Sequence, residues 1–537
     1  MHVRQPPRLH GTIQTEQALA SACLALIGAQ DRLSPAEASL VGVAAHDLFP
    51  PDIHGLRNSI LRGDDPLGDA FSSMRSATTR RAAGAVYTPT RIVQSMMSWL
   101  AAQGSPERIV DPGAGSGRFI VAAGAAFPHA QLVAIEKDPL AALMLRANLS
   151  AHGWADRTHV LVADYREVRL PACAGMTAFI GNPPYVRHHE IEEHWKAWYA
   201  SQFAALGIKA SALAGLHLHF FLQTRLLGKP GDLGAFITSA EWMDVNYGSA
   251  LRRLLLDHLG GVSLHVLAPT VEAFPGTATT AAITCFRMGE TAVPVRVRAV
   301  DALEQLDSLS AGVAIPREQL HAVPRWSTVL RPSAPSMAGD IELGELFRVH
   351  RGQVTGANDI WIDGVHAQDL PARIKLPAVT KAKDLILAGA ELNSADVLRR
   401  VIDLPTELDA FTAEEQRRIR RFLAWAQLQG ADQGYIATHR RAWWSVGLKD
   451  PAPILCTYMA RRPPQFTLNR CDARHINVAH GLYPRQPLAP GSLAMLVRWL
   501  NTNTSTGSGR TYAGGLTKFE PKEIERLRIP RPENLHA

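Results

Sequence analysis

The chain has 537 residues, 46% of them hydrophobic and 20% charged, with 56 lysines and arginines against 49 acids for a formal charge of +7. That length exceeds one ordinary hydrophobic core and allows two or three domains, and the positive balance suits a polyanionic partner without identifying one. Cys23, Cys173, Cys285, Cys456 and Cys471 are scattered and odd in number, with no Cys-x-x-Cys pair, so neither a disulfide framework nor a zinc site is implied.

Residues 1–78 read as an Ala- and Leu-rich helical preface punctuated by Pro50-Pro51 and Asp64-Asp65-Pro66. Its apolar stretch from Ala18 to Ala29 is too short for a bilayer and follows no basic region, which predicts a buried helix in a cytoplasmic, membrane-free protein. Arg108-Ile-Val-Asp111 reads as a buried strand entering the turn Asp111-Pro-Gly-Ala-Gly-Ser-Gly117, which opens an apolar helix from Phe119 to Ala126. Gly113, Gly115 and Gly117 permit a tight turn and a close approach of ligand to backbone. A second strand, Gln131-Leu-Val-Ala-Ile135, ends at Glu136, roughly 20 residues past the last glycine, where a carboxylate suits a ribose hydroxyl. The turn lacks the G-x-G-x-x-G register and begins with Asp111, which would repel a pyrophosphate but can orient a cationic amino-acid group. That favours S-adenosylmethionine over a dinucleotide. A third strand, His159-Val-Leu-Val-Ala163, delivers Asp164, placed either to accept from the cofactor's adenine amino group or to cap the next turn.

A fourth apolar run, Thr177-Ala-Phe-Ile180, leads to Asn182-Pro183-Pro184-Tyr185. Alone, these four residues also suit a proline turn after a strand; behind a nucleoside-binding loop they suit methylation of a planar, weakly nucleophilic amine. The lone pair of an exocyclic amino group on adenine is delocalised into the ring. The Asn182 amide oxygen and the Pro183 carbonyl can each accept one amino hydrogen, the prolines restrict the backbone that aims them, and Tyr185 offers a flat face for a base.

The order of these motifs resembles the amino-methylating DNA methyltransferases, specifically the γ-ordered adenine-N6 group related to the TaqI and Eco57I modification enzymes, from about residue 80 onward. The resemblance implies an α/β fold: a Rossmann-like class I S-adenosylmethionine-dependent methyltransferase sheet with an N-terminal helical segment and a C-terminal α+β target-recognition domain. It implies that Tyr87, Thr88 and Pro89, before a helix from Thr90 to Ala102, close over the methionine end of the cofactor. It further implies that Phe274, in Val271-Glu-Ala-Phe274-Pro-Gly-Thr277, contacts an extruded base. Where the family often carries an acidic or amide residue with a tyrosine, this chain has His217-Leu218-His219-Phe220. Those histidines, like His188-His189, lack companions at ligand spacing and read as solvated or packed side chains, so no metal is expected.

The catalytic domain is expected over 79–290, a Pro- and Ser-richer connector over 291–340, and the recognition domain over 341–537. In the last, Thr412-Ala-Glu-Glu415 forms a capping box for a helix through Leu428 whose Arg417, Arg418, Arg420 and Arg421 suit a solvated face. Arg440, Arg461 and Arg462 are candidates for phosphate or base-edge contacts, Trp443-Trp444 for core, and Lys518 follows a Ser/Thr/Gly loop that can lie on a nucleic-acid backbone. The expected activity is methyl transfer to adenine N6 in flipped-out duplex DNA. Cytosine N4, an RNA adenine or a release-factor glutamine are rival acceptors, and a catalytically silent DNA-specificity subunit is the rival outside enzymology. No P-D…E-x-K nuclease pattern is evident, so any restriction endonuclease partner would be separately encoded.

Overall fold

Short apolar runs bounded by glycine and proline become the strands of a nine-stranded sheet. The computed structural model describes residues 13–28, 33–44, 52–74, 88–268, 271, 280–330, 341–488, 490–506, 509–512 and 516–531. The chain divides into two units, Met1–Pro332 and Ser333–Ala537.

In the first unit the strands are β1 (Arg108–Pro112), β2 (Gln131–Glu136), β3 (Thr158–Val162), β4 (Thr177–Gly181), β5 (Leu233–Ser239), β6 (Gly261–Leu267), β7 (Ala281–Arg287), β8 (Val295–Val300) and β9 (Val313–Ile315). Their order is β3-β2-β1-β4-β5-β7-β6-β8-β9. The first five are parallel, and β7 runs antiparallel between β5 and β6. Every residue of β1, β4 and β5 is buried, as strands covered on both faces require. Val110, Phe179 and Phe236 face one apolar cluster, while Ile109, Ile180 and Ile237 face the other.

Helices α1 (Glu16–Ile27), α2 (Pro35–Ala44), α3 (Ile53–Leu61) and α4 (Pro66–Met74) precede α5 (Thr90–Gln103), α6 (Arg118–Ala126), α7 (Pro139–Ala151), α8 (Glu193–Ala205) and α9 (Leu216–Leu227). Leu145 and Leu149 of α7 pack toward the sheet, whereas its Leu143, Met144 and Ala147 join Leu19, Leu26, Leu56, Ile60 and Phe71 in a core shared with the N-terminal helices. The preface is therefore a cap on α7. A buried ion pair, Arg146 to Glu37 at 2.7 Å, ties α2 to that helix.

The connector expected over 291–340 is corrected in its first part: β8 and β9 extend the sheet, so the first unit continues to Pro332. Val295-Arg-Val-Arg-Ala-Val300 alternates buried valines with more exposed residues, the period-two pattern of a strand near a sheet edge.

The second unit holds a five-stranded sheet in the order Phe347–Arg351, Ala479–Pro484, Ile454–Thr457, Phe466–Asn469, Glu391–Leu392. Leu496, Val497 and Leu500 of the helix Pro490–Asn503 share its core with Phe347, Phe466 and Leu482. A second core gathers Trp361, Ile419 and Phe422, with Trp443 and Trp444 packed against it. Thr412 and Glu415 form the capping box of the helix Ala413–Leu428. Arg417 and Arg418 on that helix pair with the exposed Glu414, as a solvated face would.

Candidate active site

The carboxyl ends of β1 to β4 converge on a cavity of about 350 Å³, a size suited to a small ligand, for which roughly 300–1,000 Å³ is usual. Gly113, Gly115, Glu136, Asp164, Asn182 and Pro184 all line it, together with Thr88. Gly113 and the tetrapeptide lie within contact distance: a methyl group added at Gly113 would stand 3.3 Å from Pro184 Cδ.

Each glycine of the loop adopts positive φ: 73° at Gly113, 57° at Gly115 and 94° at Gly117. The Gly115 amide donates to Glu136 Oε2 at 2.8 Å, and the Asp138 amide donates to Oε1 at 2.8 Å. Burial raises the Glu136 pKa, and the two amides oppose that shift. Each carboxylate oxygen keeps acceptor capacity for a hydroxyl. Gly117 does not line the cavity; a methyl there would stand 2.5 Å from Leu145 Cδ1, so this glycine lets α6 and α7 approach.

Asp111 is the penultimate residue of β1, directly before the glycine loop. Its side chain is wholly buried and absent from the cavity wall, with Oδ2 accepting from the Ile120 amide at 3.2 Å. Burial drives its pKa well above the ordinary carboxylate range, opposed by that amide. Asp111 Oδ2 thus braces the start of α6, while its Oδ1 is buried without a hydrogen-bond partner among the described residues.

Asp164 lines the cavity and also caps its own turn. Its Oδ1 accepts from the Arg166 amide at 3.1 Å, and Arg166 Nη2 and Lys137 Nζ reach Oδ2 at 2.7 and 3.3 Å. Burial would raise its pKa, but the bonds and charge of Arg166 bring it down to about 2. The Arg166 guanidinium lies 4.0 Å above the Trp195 ring, and Trp195 lines the cavity from α8.

Asn182 follows β4 directly, and its Nδ2 donates to Thr88 Oγ1 at 3.1 Å. Pro183 is buried. Neither Pro183 nor Tyr185 lines the cavity; Tyr185 packs against the sheet core, its hydroxyl donates to the Ile237 carbonyl at 3.4 Å, and its ring is 5.8 Å from that of His217. Burial lowers the pKa of His217 to about 4 and that of His219 to about 3, so both are neutral at physiological pH. Pro89 precedes α5 as its N-cap and stays off the cavity wall. Tyr87 and Phe274 lie outside the described residues.

Phe71, Ser116, Arg118, Trp195 and Phe220 also line the cavity and were not anticipated. Ser116 and Arg118 flank Gly117 and were open to inference from that position; Phe71, in α4, carried no signal. Among the described residues no group of three or more His, Cys, Asp or Glu is arranged to hold a metal ion, and no helix is long and apolar enough to cross a membrane.

In the second unit Arg440 requires correction as a nucleic-acid contact. Its Nη2 donates to the Val354 and Thr355 carbonyls at 2.5 and 3.1 Å, and Nε and Nη1 are buried. A guanidinium committed to backbone carbonyls anchors a loop. Arg461 and Arg462 are exposed, and Lys518 pairs with Glu520 at 2.5 Å above the Tyr458 ring.

A sheet of this order, with a glycine loop after β1 and an acid after β2 at one cavity, defines a class I S-adenosylmethionine-dependent methyltransferase. Comparison with known proteins narrows the class. The family described as "Type II methyltransferase M.Eco57I, C-terminal domain" matches residues 336–537, and "Eco57I restriction-modification methylase" matches residues 172–264. The type II methyltransferase M.XamI of Xanthomonas campestris pv. amaranthicola is 74% identical over 535 residues, covering 98% of this chain and 100% of that protein. M.AccI of Acinetobacter calcoaceticus is 19% identical over 493 residues, covering 88% of each. The solved DrdV–DNA complex shares the fold over 90% of this chain and 60% of that one, with TM-score 0.51 and 12% identity. The chain belongs to the type II DNA methyltransferases of restriction-modification systems, and its cofactor is S-adenosylmethionine.

Proposed function

We propose that the protein methylates the N6 amino group of adenine in duplex DNA, with Asn182-Pro183-Pro184-Tyr185 as the catalytic tetrad. The observation that carries this reading is that Asn182 and Pro184 line the same cavity as Gly115, Glu136 and Asp164. S-adenosylmethionine, when bound, supplies an electrophilic methyl group. Glu136 would hold the ribose and Asp164 the adenine amino group of that cofactor, while Thr88 and the glycine loop would enclose the remainder. The bond from Asn182 Nδ2 to Thr88 Oγ1 orients the amide at the wall.

The target base leaves the stack because its amino group cannot otherwise reach the methyl carbon. Its amino group would then donate hydrogen bonds to the Asn182 amide oxygen and the Pro183 carbonyl, localising the nitrogen lone pair for in-line attack; the N–CH3 bond would form as the S–CH3 bond breaks, the thioether would leave, and one amino proton would pass to solvent. Tyr185 stacks on the ring, held by its hydroxyl contact to Ile237, and Phe274 meets the base from the side. Positioning supplies most of the acceleration. In the second unit Arg461, Arg462 and Lys518 are the proposed phosphate contacts, and a separately encoded endonuclease is the proposed genetic partner.

Single-molecule sequencing of DNA from cells expressing the protein tests the reading. N6-methyladenine at one sequence motif is the expected result. N4-methylcytosine, or unmodified DNA alongside methylated RNA or release factor, would overturn it.

A further inference from the structure

We propose that Asp65, contributed by the N-terminal helical segment, is a positioning residue of the active site that sets the glycine loop and, through Arg118 and Thr88, the amide of Asn182. The proposal rests on the reading of Asn182 given above. The Asp65 side chain is 8% exposed. Its Oδ2 accepts from Ser116 Oγ at 2.6 Å and from Arg118 Nε at 2.9 Å, while Oδ1 accepts from the Gly68 amide at 2.9 Å and so caps α4. Arg118 passes the connection on: its Nη1 donates to the Thr88 carbonyl at 3.1 Å. Thr88, itself 2% exposed, accepts from Asn182 Nδ2 through its hydroxyl at 3.1 Å. One carboxylate from a segment without a recognisable motif thus reaches the tetrapeptide in three steps.

The loop needs such a brace. Ser116 sits between Gly115 and Gly117, both at positive φ, and glycine backbones supply little rigidity of their own. A largely buried carboxylate bonded to a guanidinium and a hydroxyl is a strong, directional restraint. Its partners Ser116 and Arg118 line the cavity, and so does Phe71 of the helix that Asp65 caps. The N-terminal helices therefore do more than cover the apolar face of α7.

Glu37 provides the control. It ties the same helical segment to α7 through Arg146, with a side chain of 0% exposure, and its hydrogen bonds among the described residues go to Ser34 and Arg146. Asp65→Asn keeps the shape and the helix cap but removes the charge. In the full-length protein, calorimetric titration with S-adenosylmethionine should show Asp65→Asn binding about tenfold more weakly, the scale of one weakened charged hydrogen bond. Single-turnover methylation of unmethylated duplex DNA at saturating cofactor should also slow by about tenfold, with Tm falling no further than in the Glu37 control. Glu37→Gln should lower Tm and leave affinity and rate unchanged. Wild-type cofactor affinity in Asp65→Asn would overturn the loop restraint, and a wild-type rate at saturating cofactor would overturn the link to Asn182. Parallel losses of affinity and Tm in both variants would reduce Asp65 to scaffolding. Cofactor binding needs no DNA, so the calorimetric arm stands whichever base proves to be methylated.

Discussion

At Asn182 the amide nitrogen is engaged by Thr88, and the backbone carbonyl of the next residue leaves the sheet at a buried proline. Asn182→Ala should reduce methyl transfer by about 10²-fold or more, the cost of one preorganised polar group at a reacting centre, while calorimetric affinity for S-adenosylmethionine is largely retained. Loss of both would assign the side chain a scaffolding role. Asp164 makes a different prediction. A carboxylate held at about 2 adds stability that is present above its ordinary range and is lost as pH falls toward that value. Asp164→Asn should therefore cost stability to urea at pH 6, and its deficit relative to wild type should narrow by pH 3. A deficit independent of pH would mean that the Arg166 pairing does not stabilise the fold.

At the scale of elements, two glycines of one turn sit in different surroundings. Gly115 has open space around a notional side chain and lines the cavity, whereas Gly117 abuts Leu145. Gly117→Ala combines positive-φ strain with a clash and should destabilise the protein by roughly 1–3 kcal/mol in urea unfolding. Gly115→Ala should show its larger effect as lost cofactor affinity. The strand-turn-helix order was legible because each signal is local: an apolar run, a glycine cluster, then an apolar helix within about 20 residues. The capping box at Thr412 and Glu415 was legible for the same reason. β8 was not recognised, although its alternation was visible, because a proline- and serine-richer neighbourhood outweighed a six-residue pattern.

At the scale of the whole molecule, the basic balance of the chain bears on DNA affinity. If Arg461 and Arg462 neutralise phosphates, replacing each by alanine should weaken binding across sequences and lower the slope of log affinity against log salt by about 1. A change confined to one sequence motif would instead assign them to base edges.

The amino-acid sequence by itself determined the order of the nucleotide-binding strands, the identity of Glu136, Asp164 and Asn182 as cavity residues, and the class of cofactor, since each follows from neighbours along the chain. Only the tertiary structure decided that buried Asp111 accepts from the Ile120 amide, that Arg440 turns inward to two carbonyls, and that Asp65 reaches Ser116 across 51 positions. The reason is common to all three. A charged side chain takes its role from the partners and dielectric around it, and those are supplied by segments far away in the chain.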